Sequence, residues 1–487
     1  MSNLLLAIDQ GTSSSRVMVF DLKGQSLYNS QYPMKSFFPK HEWVEQDAEQ
    51  IWQTTLLALE DVLHHYSAND FIACGLTNQR ETVVAWDKLT GEVLSPAIVW
   101  QDRRTQKTCD ALLEDHQSWV SDKTGLRIDP YFSASKIEWL LKHNPQWRTL
   151  IEQQRLAIAT IDAFLLWRLT GGEVYATDIT NASRTMLMDI NTGVWDADLL
   201  DFWQIPQSVL PEIRACDANF GNIMPDILGK EIPITGVMGD QQAALFGQYC
   251  FLPGMAKATF GTGAFLLMNT GDKPVQSKHG LISTVAYEVK NQRCYGLEGS
   301  IYHAGTTIKW LHDKLGLLDS LEQSEILARQ VSSNGGVYCV SSFTGLGAPH
   351  WHNASGAKLV GLSLDTTPAH IARAALEGVA YQTRDVLACM QADMNKTLDV
   401  CRVDGGMAAN HWFLQFLADQ CRCQVEITNG IEVTAKGAAL LAGVGAGAFS
   451  GIDAIAKKAK SSHQWSPSRA QSEVDGEYQG WLAALNL

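Results

Sequence analysis

No stretch of the chain stays apolar for the roughly 20 residues that a membrane-spanning helix needs. The longest candidate, 438–449, is short and broken by glycine. At the N-terminus Leu4-Leu5-Leu6-Ala7-Ile8 is stopped by Asp9 and has no basic segment before it, so no secretory signal is expected. Basic charge is in deficit. Lys and Arg total 38 against 52 Asp and Glu, a formal charge of −14. This excludes a nucleic-acid-coating role, which needs a clustered basic excess. It leaves room for a small anion held by a few backbone N–H groups. No Cys-x-x-Cys pair occurs. The ten cysteines are scattered, with Cys421-Arg422-Cys423 the one close pair. The expectation is reduced, mostly buried thiols in a cytoplasmic protein, with neither a zinc site nor a disulfide framework. A Walker loop (GxxxxGK[ST]), a low-complexity segment and a charge run are also missing.

What is present is globular. Hydrophobic residues make up 46% and charged residues 18%, too much apolar mass for a disordered chain. A length of 487 residues suggests two large domains or about three ordinary ones. The start reads as strand, turn, strand: Leu4 to Ile8, the polar small-residue turn Asp9-Gln10-Gly11-Thr12-Ser13-Ser14-Ser15, then Arg16 to Phe20, with a third strand over 26–32. Three antiparallel strands with a polar first turn are how actin-like and ribonuclease H-like ATPase domains begin. An amphipathic helix is predicted over 47–65, a buried strand over 71–76, and helices over 135–141 and 161–169. The strand over 71–76 runs into Thr77-Asn78-Gln79-Arg80-Glu81, a polar stretch at a strand's C-terminal edge, where α/β proteins collect binding groups. A second strand, small-residue turn, strand unit follows at 255–268, around Phe260-Gly261-Thr262-Gly263-Ala264. It echoes the first twenty residues in type. Two related domains, 1–249 and 250–487, are therefore expected to face each other across a cleft, with the boundary near Gln248 to Pro253.

A nucleotide site needs donors for phosphate oxygens and a carboxylate for Mg²⁺. The first turn offers both, Asp9 as the carboxylate and Gly11 to Ser15 as donors. The second turn, 261–263, offers another donor set. Val403-Asp404-Gly405-Gly406-Met407-Ala408-Ala409-Asn410 offers a third: a strand end, two glycines and a helix start, suited to an adenine or an α-phosphate. Gly443-Val444-Gly445-Ala446-Gly447 loosely matches a dinucleotide fingerprint, but it closes an Ala-rich helix and reads as close helix packing. Asp240 follows the apolar run 234–238 and precedes a helix, so it reads either as a helix cap or as a catalytic carboxylate. Arg80 with Glu81, Trp100 and Tyr131 are further polar or aromatic groups at predicted element ends.

These stretches together resemble the FGGY carbohydrate kinases over nearly the whole length, roughly Leu4 to Phe449. The resemblance is carried by 9–16, 78–82, 99–105, 239–247, 343–349, 381–386 and 403–410. It is also carried by the helix signature 131–140 and a second signature across Gly361-Leu362, His370-Ile371 and 374–377. It implies two actin-like (ribonuclease H-like) domains flanking a catalytic cleft, with ATP and Mg²⁺ between them. It implies transfer of the γ-phosphate to a primary hydroxyl of glycerol, the first step of glycerol catabolism. By position, Arg80, Glu81, Tyr131, Asp240 and Gln241 resemble the hydroxyl ligands, with Asp240 the catalytic residue. Trp100 and Phe265 resemble the apolar walls. Thr12, Ser13, Ser14, Arg16, Thr262, Gly305, Gly406, Met407 and Asn410 resemble nucleotide contacts, and Asp9 the Mg²⁺-linked carboxylate. A homodimer or homotetramer in the cytoplasm is implied as well. Glu231 departs from the family pattern where members inhibited by fructose 1,6-bisphosphate carry Arg. The 220–230 loop lacks the His that some members present for phosphorylation by a phosphocarrier protein. Lys309 and Met407 stand where Gln and a small residue are usual.

The chemistry of the set fits a small neutral polyol. Arg80 donates and Glu81 accepts, so the pair can bracket two hydroxyls, and a Trp face suits the carbon side. A carboxylate is a weak base, which phosphoryl transfer tolerates because its transition state is loose. Three rival readings remain open at this point: a kinase for another small polyol or an open-chain sugar, a non-catalytic actin-like nucleotide-binding protein, and a metabolite-sensing pseudo-kinase.

Overall fold

The computed structural model describes residues 3–351, 356–428 and 432–486. Two large sheets carry the molecule. The first has six strands in the order Asn222–Ile223, Ile232–Gly239, Phe71–Asn78, Leu4–Gln10, Ser14–Phe20, Ser26–Pro33. Leu4–Gln10 runs antiparallel to Ser14–Phe20, with Asp9 opposite Arg16, and parallel to Phe71–Asn78, with Asp9 opposite Thr77. The second has seven strands: Ile282–Val289, Gln292–Ile301, Ala264–Gly271, Ala256–Phe260, Val400–Asp404, Gln424–Thr428, Ser461–Trp465. Its pairing repeats the first. Ala256–Phe260 is antiparallel to Ala264–Gly271 and parallel to Val400–Asp404. In each half, then, an antiparallel hairpin meets later parallel strands at its first strand. The leading strand of each sheet is covered on both faces, Leu4–Gln10 being buried at every position, as a strand inside a parallel sheet must be.

A helix follows the last parallel strand of each repeat. Asp240–Gly247 follows Ile232–Gly239, and Val433–Gly445 follows Gln424–Thr428 in chain order. The two helices pack tightly on one another. A Cβ on Gly437 would meet the Ala243 carbonyl oxygen at 1.9 Å, and one on Gly247 would meet the Val433 carbonyl oxygen at the same 1.9 Å. Only residues without a Cβ fit such a crossing. The Gly443–Gly447 run thus lies at the end of a packed helix, as its composition suggested, with the Thr235 carbonyl 2.1 Å from a would-be Cβ on Gly445. The shared core there joins Leu5, Ala7 and Phe20 of the first half to Leu267, Val285, Ala439 and Leu440 of the second.

A five-stranded sheet is inserted into the first half, ordered Ser36–Phe37, Glu45–Gln46, Ala97–Ile98, Val83–Asp87, Leu156–Thr160. With the helix Ser133–His143 it forms a separate core around Val83, Ile98, Phe132 and Ile137. This insertion presents Trp100 and Tyr131, each just beyond the end of one of its elements.

Most predicted elements are found with ends moved by a residue or two. Ala48–Leu63 is a helix capped by the Asp47 side chain, and Ile161–Leu169 is a helix over the expected range. One difference matters for the site. Ser14 and Ser15 belong to the second strand, not to the turn. The strand's pleat turns Ser15 inward, where its Oγ lies 2.9 Å from Thr54 Oγ1. All ten cysteines are free; nine are buried and Cys389 is half-buried. Among the described residues no helix is long and apolar enough to cross a membrane.

Candidate active site

The site lies where the ends of both sheets meet the insertion. The first turn is short: Gly11 N–H donates to the Ser14 carbonyl at 2.9 Å, leaving Thr12 half-buried and Ser13 exposed at its tip. The second turn closes in the same way, Gly261 N–H to the Gly263 carbonyl at 2.9 Å. The start of the helix Gly305–Asp313 is tied to this turn. Gly305 N–H donates to Gly261 O and Thr306 N–H to Thr262 O, both at 3.0 Å. The third stretch abuts it as well. Gly405 has φ +88°, and a Cβ there would lie 2.4 Å from the Phe260 carbonyl, so a side chain is excluded twice over. Gly406 has open space around it, Met407 is buried, and Asn410 caps the next helix by accepting from Phe413 N–H at 2.9 Å. Thr262, Gly305, Gly406, Met407 and Asn410 are therefore neighbours. Ser14 Oγ accepts from Gln31 Nε2 at 2.8 Å. Lys309 is exposed on the helix 305–313.

Asp9 is buried at the end of the first strand, 2.5 Å from Arg16, which also pairs with Glu432. Burial raises the Asp9 carboxyl above its usual range against the opposing pull of Arg16. Among the described residues no group of three or more His, Cys, Asp or Glu is arranged to hold a metal.

The second group of expected site residues forms an ion cluster under an aromatic box. Arg80 follows the strand Phe71–Asn78, and Glu81 next to it has φ +61°, a left-handed conformation uncommon outside glycine. Both are buried. Gly239, the cap of the helix Asp240–Gly247, lets Arg80 pass: a Cβ there would lie 2.7 Å from Arg80 Cδ. Arg80 Nε then lies 3.2 Å from Asp240 Oδ1. Asp240 is the first residue of that helix and its Oδ1 also accepts from Gln241 N–H at 2.7 Å, so the carboxylate sits where the helix dipole favours negative charge. Trp100 stands edge-on to Tyr131 at 5.7 Å between ring centroids and to Phe265 at 6.3 Å. Its Nε1 donates to Thr12 Oγ1 at 2.9 Å, which joins the aromatic box to the first phosphate turn. Tyr131 Oη lies 3.5 Å from Arg80 Nη2.

Two members of the cluster escaped the sequence reading. Glu298, in the strand Gln292–Ile301, accepts from Arg80 Nη1 at 2.6 Å and from Arg184 Nη2 at 2.8 Å. Arg184 Nε donates to Glu81 at 2.7 Å. All four side chains are at most 2% exposed. Burial alone would raise Glu298, but Arg184 and Arg80 hold it down to about 2. Burial pushes Glu81 up in spite of the same two arginines. Two guanidinium groups and two carboxylates thus neutralise one another, the arrangement that a buried charge requires. The available signal in sequence was Glu298 itself, a lone acid among the apolar and small residues of Cys294 to Ile301.

Mirrored sheets, each with a small-residue turn after its first strand, around a cleft define an actin-like (ribonuclease H-like) two-domain ATPase fold. Within that class the FGGY family of carbohydrate kinases matches over most of the chain, its N-terminal domain over residues 4–247 and its C-terminal domain over 256–446. The chain belongs to this family. Similar curated relatives include the glycerol kinase of Alcanivorax borkumensis, 48% identical over 99% of this chain and 97% of the relative, and that of Acinetobacter baylyi, also 48% identical over 99% and 98%. Among solved structures, the glycerol kinase of Plasmodium falciparum with ADP is 36% identical, with a TM-score of 0.93 over 100% of this chain and 98% of that one. A gluconate kinase from Lactobacillus acidophilus shares the fold at 19% identity, with a TM-score of 0.89.

Proposed function

We propose that the protein transfers the γ-phosphate of ATP to a primary hydroxyl of glycerol, giving sn-glycerol 3-phosphate and ADP, as the first step of glycerol catabolism. The observation that supports the acceptor assignment is the clustering of Arg80, Glu81, Tyr131, Asp240 and Gln241, groups able to donate to and accept from hydroxyls. Trp100 and Phe265 stand against them as carbon walls. Once closure excludes water, a charge-balanced pocket selects a polyol because each buried polar group left unmatched costs about 1–3 kcal/mol.

In this reading the acceptor hydroxyl lies beside Asp240. A bond forms from its oxygen to the γ-phosphorus as the bond from that phosphorus to the bridging oxygen of ADP breaks, and the proton passes to Asp240. Orienting the nucleophile in line is Asp240's first task, since the transition state is loose. Thr12, Ser13, Ser14, Arg16 and Thr262 hold the phosphates, and Gly305, tied to the second turn by its own N–H, lets the nucleotide lie close to the backbone there. Gly406, Met407 and Asn410 lie against the nucleoside end. Asp9 is the carboxylate that would hold Mg²⁺, partly through water, and the ion would supply neutralisation of phosphate charge. The halves 1–249 and 250–487 act as the two jaws, and their closure excludes water as a competing acceptor. The family resemblance supports a cytoplasmic homodimer or homotetramer.

The test is ADP release from ATP and Mg²⁺ with and without glycerol, repeated over a panel of polyols and open-chain sugars. Turnover should depend on the acceptor and be highest with glycerol. Acceptor-independent hydrolysis, or preference for a longer polyol, would overturn the assignment.

A further inference from the structure

Lys257 is a lysine with no exposed surface, on the first strand of the second sheet. The acceptor set above does not use it. Its ammonium donates to Gln241 Oε1, to Thr259 Oγ1 at 3.1 Å and to the Phe265 carbonyl at 3.2 Å. Two of those three partners, Gln241 and Phe265, belong to the acceptor set. An ammonium has donors only, so it can face the oxygen of the Gln241 amide and never its nitrogen. This chemistry settles an orientation that is otherwise ambiguous for any glutamine. The Gln241 nitrogen Nε2 makes no hydrogen bond to a described residue.

We propose that Lys257 is a positioning residue for the acceptor: it pins the oxygen of the Gln241 amide, so that the NH₂ group is what the site offers to substrate. The proposal rests on Gln241 being an acceptor ligand. It deepens that reading by fixing the polarity of the contact. The substrate atom beside Gln241 must accept a hydrogen bond, which a hydroxyl or carbonyl oxygen does and an ammonium cannot. Lys257 is faced by Asp404 from its neighbouring strand, Glu298 from the strand Gln292–Ile301, Asp240 from the helix 240–247, and Arg80. Burial outweighs the three carboxylates and draws the ammonium down to about 8, so its donor-only character weakens in mildly alkaline solution.

The test is a double-mutant cycle on glycerol KM in the full-length enzyme with ATP and Mg²⁺. Lys257→Met should raise glycerol KM about tenfold, the loss expected for a charge-assisted hydrogen bond, and leave ATP KM unmoved. In a Gln241→Ala background the same substitution should add nothing. A merely structural lysine would raise KM by the same factor in both backgrounds, and that result overturns the proposal. So does Lys257→Met having no effect while Gln241→Ala has one. If Gln241→Ala itself leaves glycerol KM unchanged, the ligand reading of Gln241 fails and the proposal falls with it. Should Lys257→Met not fold, the pH profile decides. Glycerol KM should rise above about pH 8 in the wild type and not in Gln241→Ala. Lys136, which binds the Tyr131 carbonyl at 2.7 Å and is likewise lowered by burial to about 8, is present in both proteins and cancels. A flat profile, or the same rise in both, overturns the proposal.

Discussion

Asp240→Asn keeps the side chain's size and an oxygen for the Gln241 N–H, yet removes the carboxylate proposed to receive the acceptor proton. The expected outcome is a fall in kcat of about 10²–10⁴-fold, measured by coupled ADP release, with folding unchanged by circular dichroism. Turnover near that of the wild type would show that Asp240 is only a helix-start residue. Glu298→Gln tests a different role. It leaves Arg80 and Arg184 short of a counter-charge in a buried setting, and a loss of about 3–5 kcal/mol in denaturant unfolding is expected. The pH dependence follows from the same pair of arginines. Glu298 sits at about 2 when folded against an ordinary 4.5. Its stabilising share is therefore complete above pH 4.5 and is withdrawn as pH falls toward about 2. The Glu298→Gln variant should lack that acid limb. These two carboxylates also mark how far a sequence can be read. The place of Asp240 was legible because it follows an apolar strand and starts a helix within a local pattern. Glu298 was not, because its meaning comes from Arg80 and Arg184, which lie over a hundred residues away along the chain.

Among the elements, the tightest local constraint is the crossing of the helices Asp240–Gly247 and Val433–Gly445. Gly437→Ala adds one methyl group 1.9 Å from the Ala243 carbonyl. Helix propensity alone would favour Ala by about 1 kcal/mol, whereas forcing an extra carbon into a packed contact costs about 1–3 kcal/mol or more. At 1.9 Å overpacking should win, and a lower Tm is expected; an unchanged or raised Tm would mean the helices separate easily. Because the helix it presses on carries Asp240 at its start, Gly437→Ala should also lower kcat. The hairpin of each half was readable from alternating apolar residues and a polar turn. The extent of the first turn was not. Ser14 and Ser15 look like turn residues by type, but pairing with Ser26–Pro33 draws them into the strand, and tertiary pairing overrides local propensity.

Across the whole molecule, the proposed acceptor pocket is a joint product of the two halves. Trp100 and Tyr131 come from the insertion in the first half, and Phe265 from the second sheet. Beneath them Glu298 of the second half binds Arg80 and Arg184 of the first. The mirrored sheets and the two phosphate turns could be expected from the repeated pattern of strand and turn. Their relative placement could not, since it depends on glycine-sized clearances and on ion pairs that form only once both halves have folded. Such a pocket should set its size limit through the rings that bridge the halves. Trp100→Ala removes the central ring, the one that touches both other aromatics and also holds Thr12 of the first turn. The expected result is weaker glycerol binding together with a rise in kcat/KM for erythritol and xylitol relative to glycerol, because the vacated volume admits one or two more carbons. Loss of the hydrogen bond to Thr12 should raise ATP KM in the same variant, whereas Phe265→Ala, which leaves that bond in place, should widen the acceptor range without this second effect. If the ratio of kcat/KM values among the three polyols is the same in the wild type and Trp100→Ala, the ring is not a wall of the pocket, and acceptor size is set by the buried polar cluster instead.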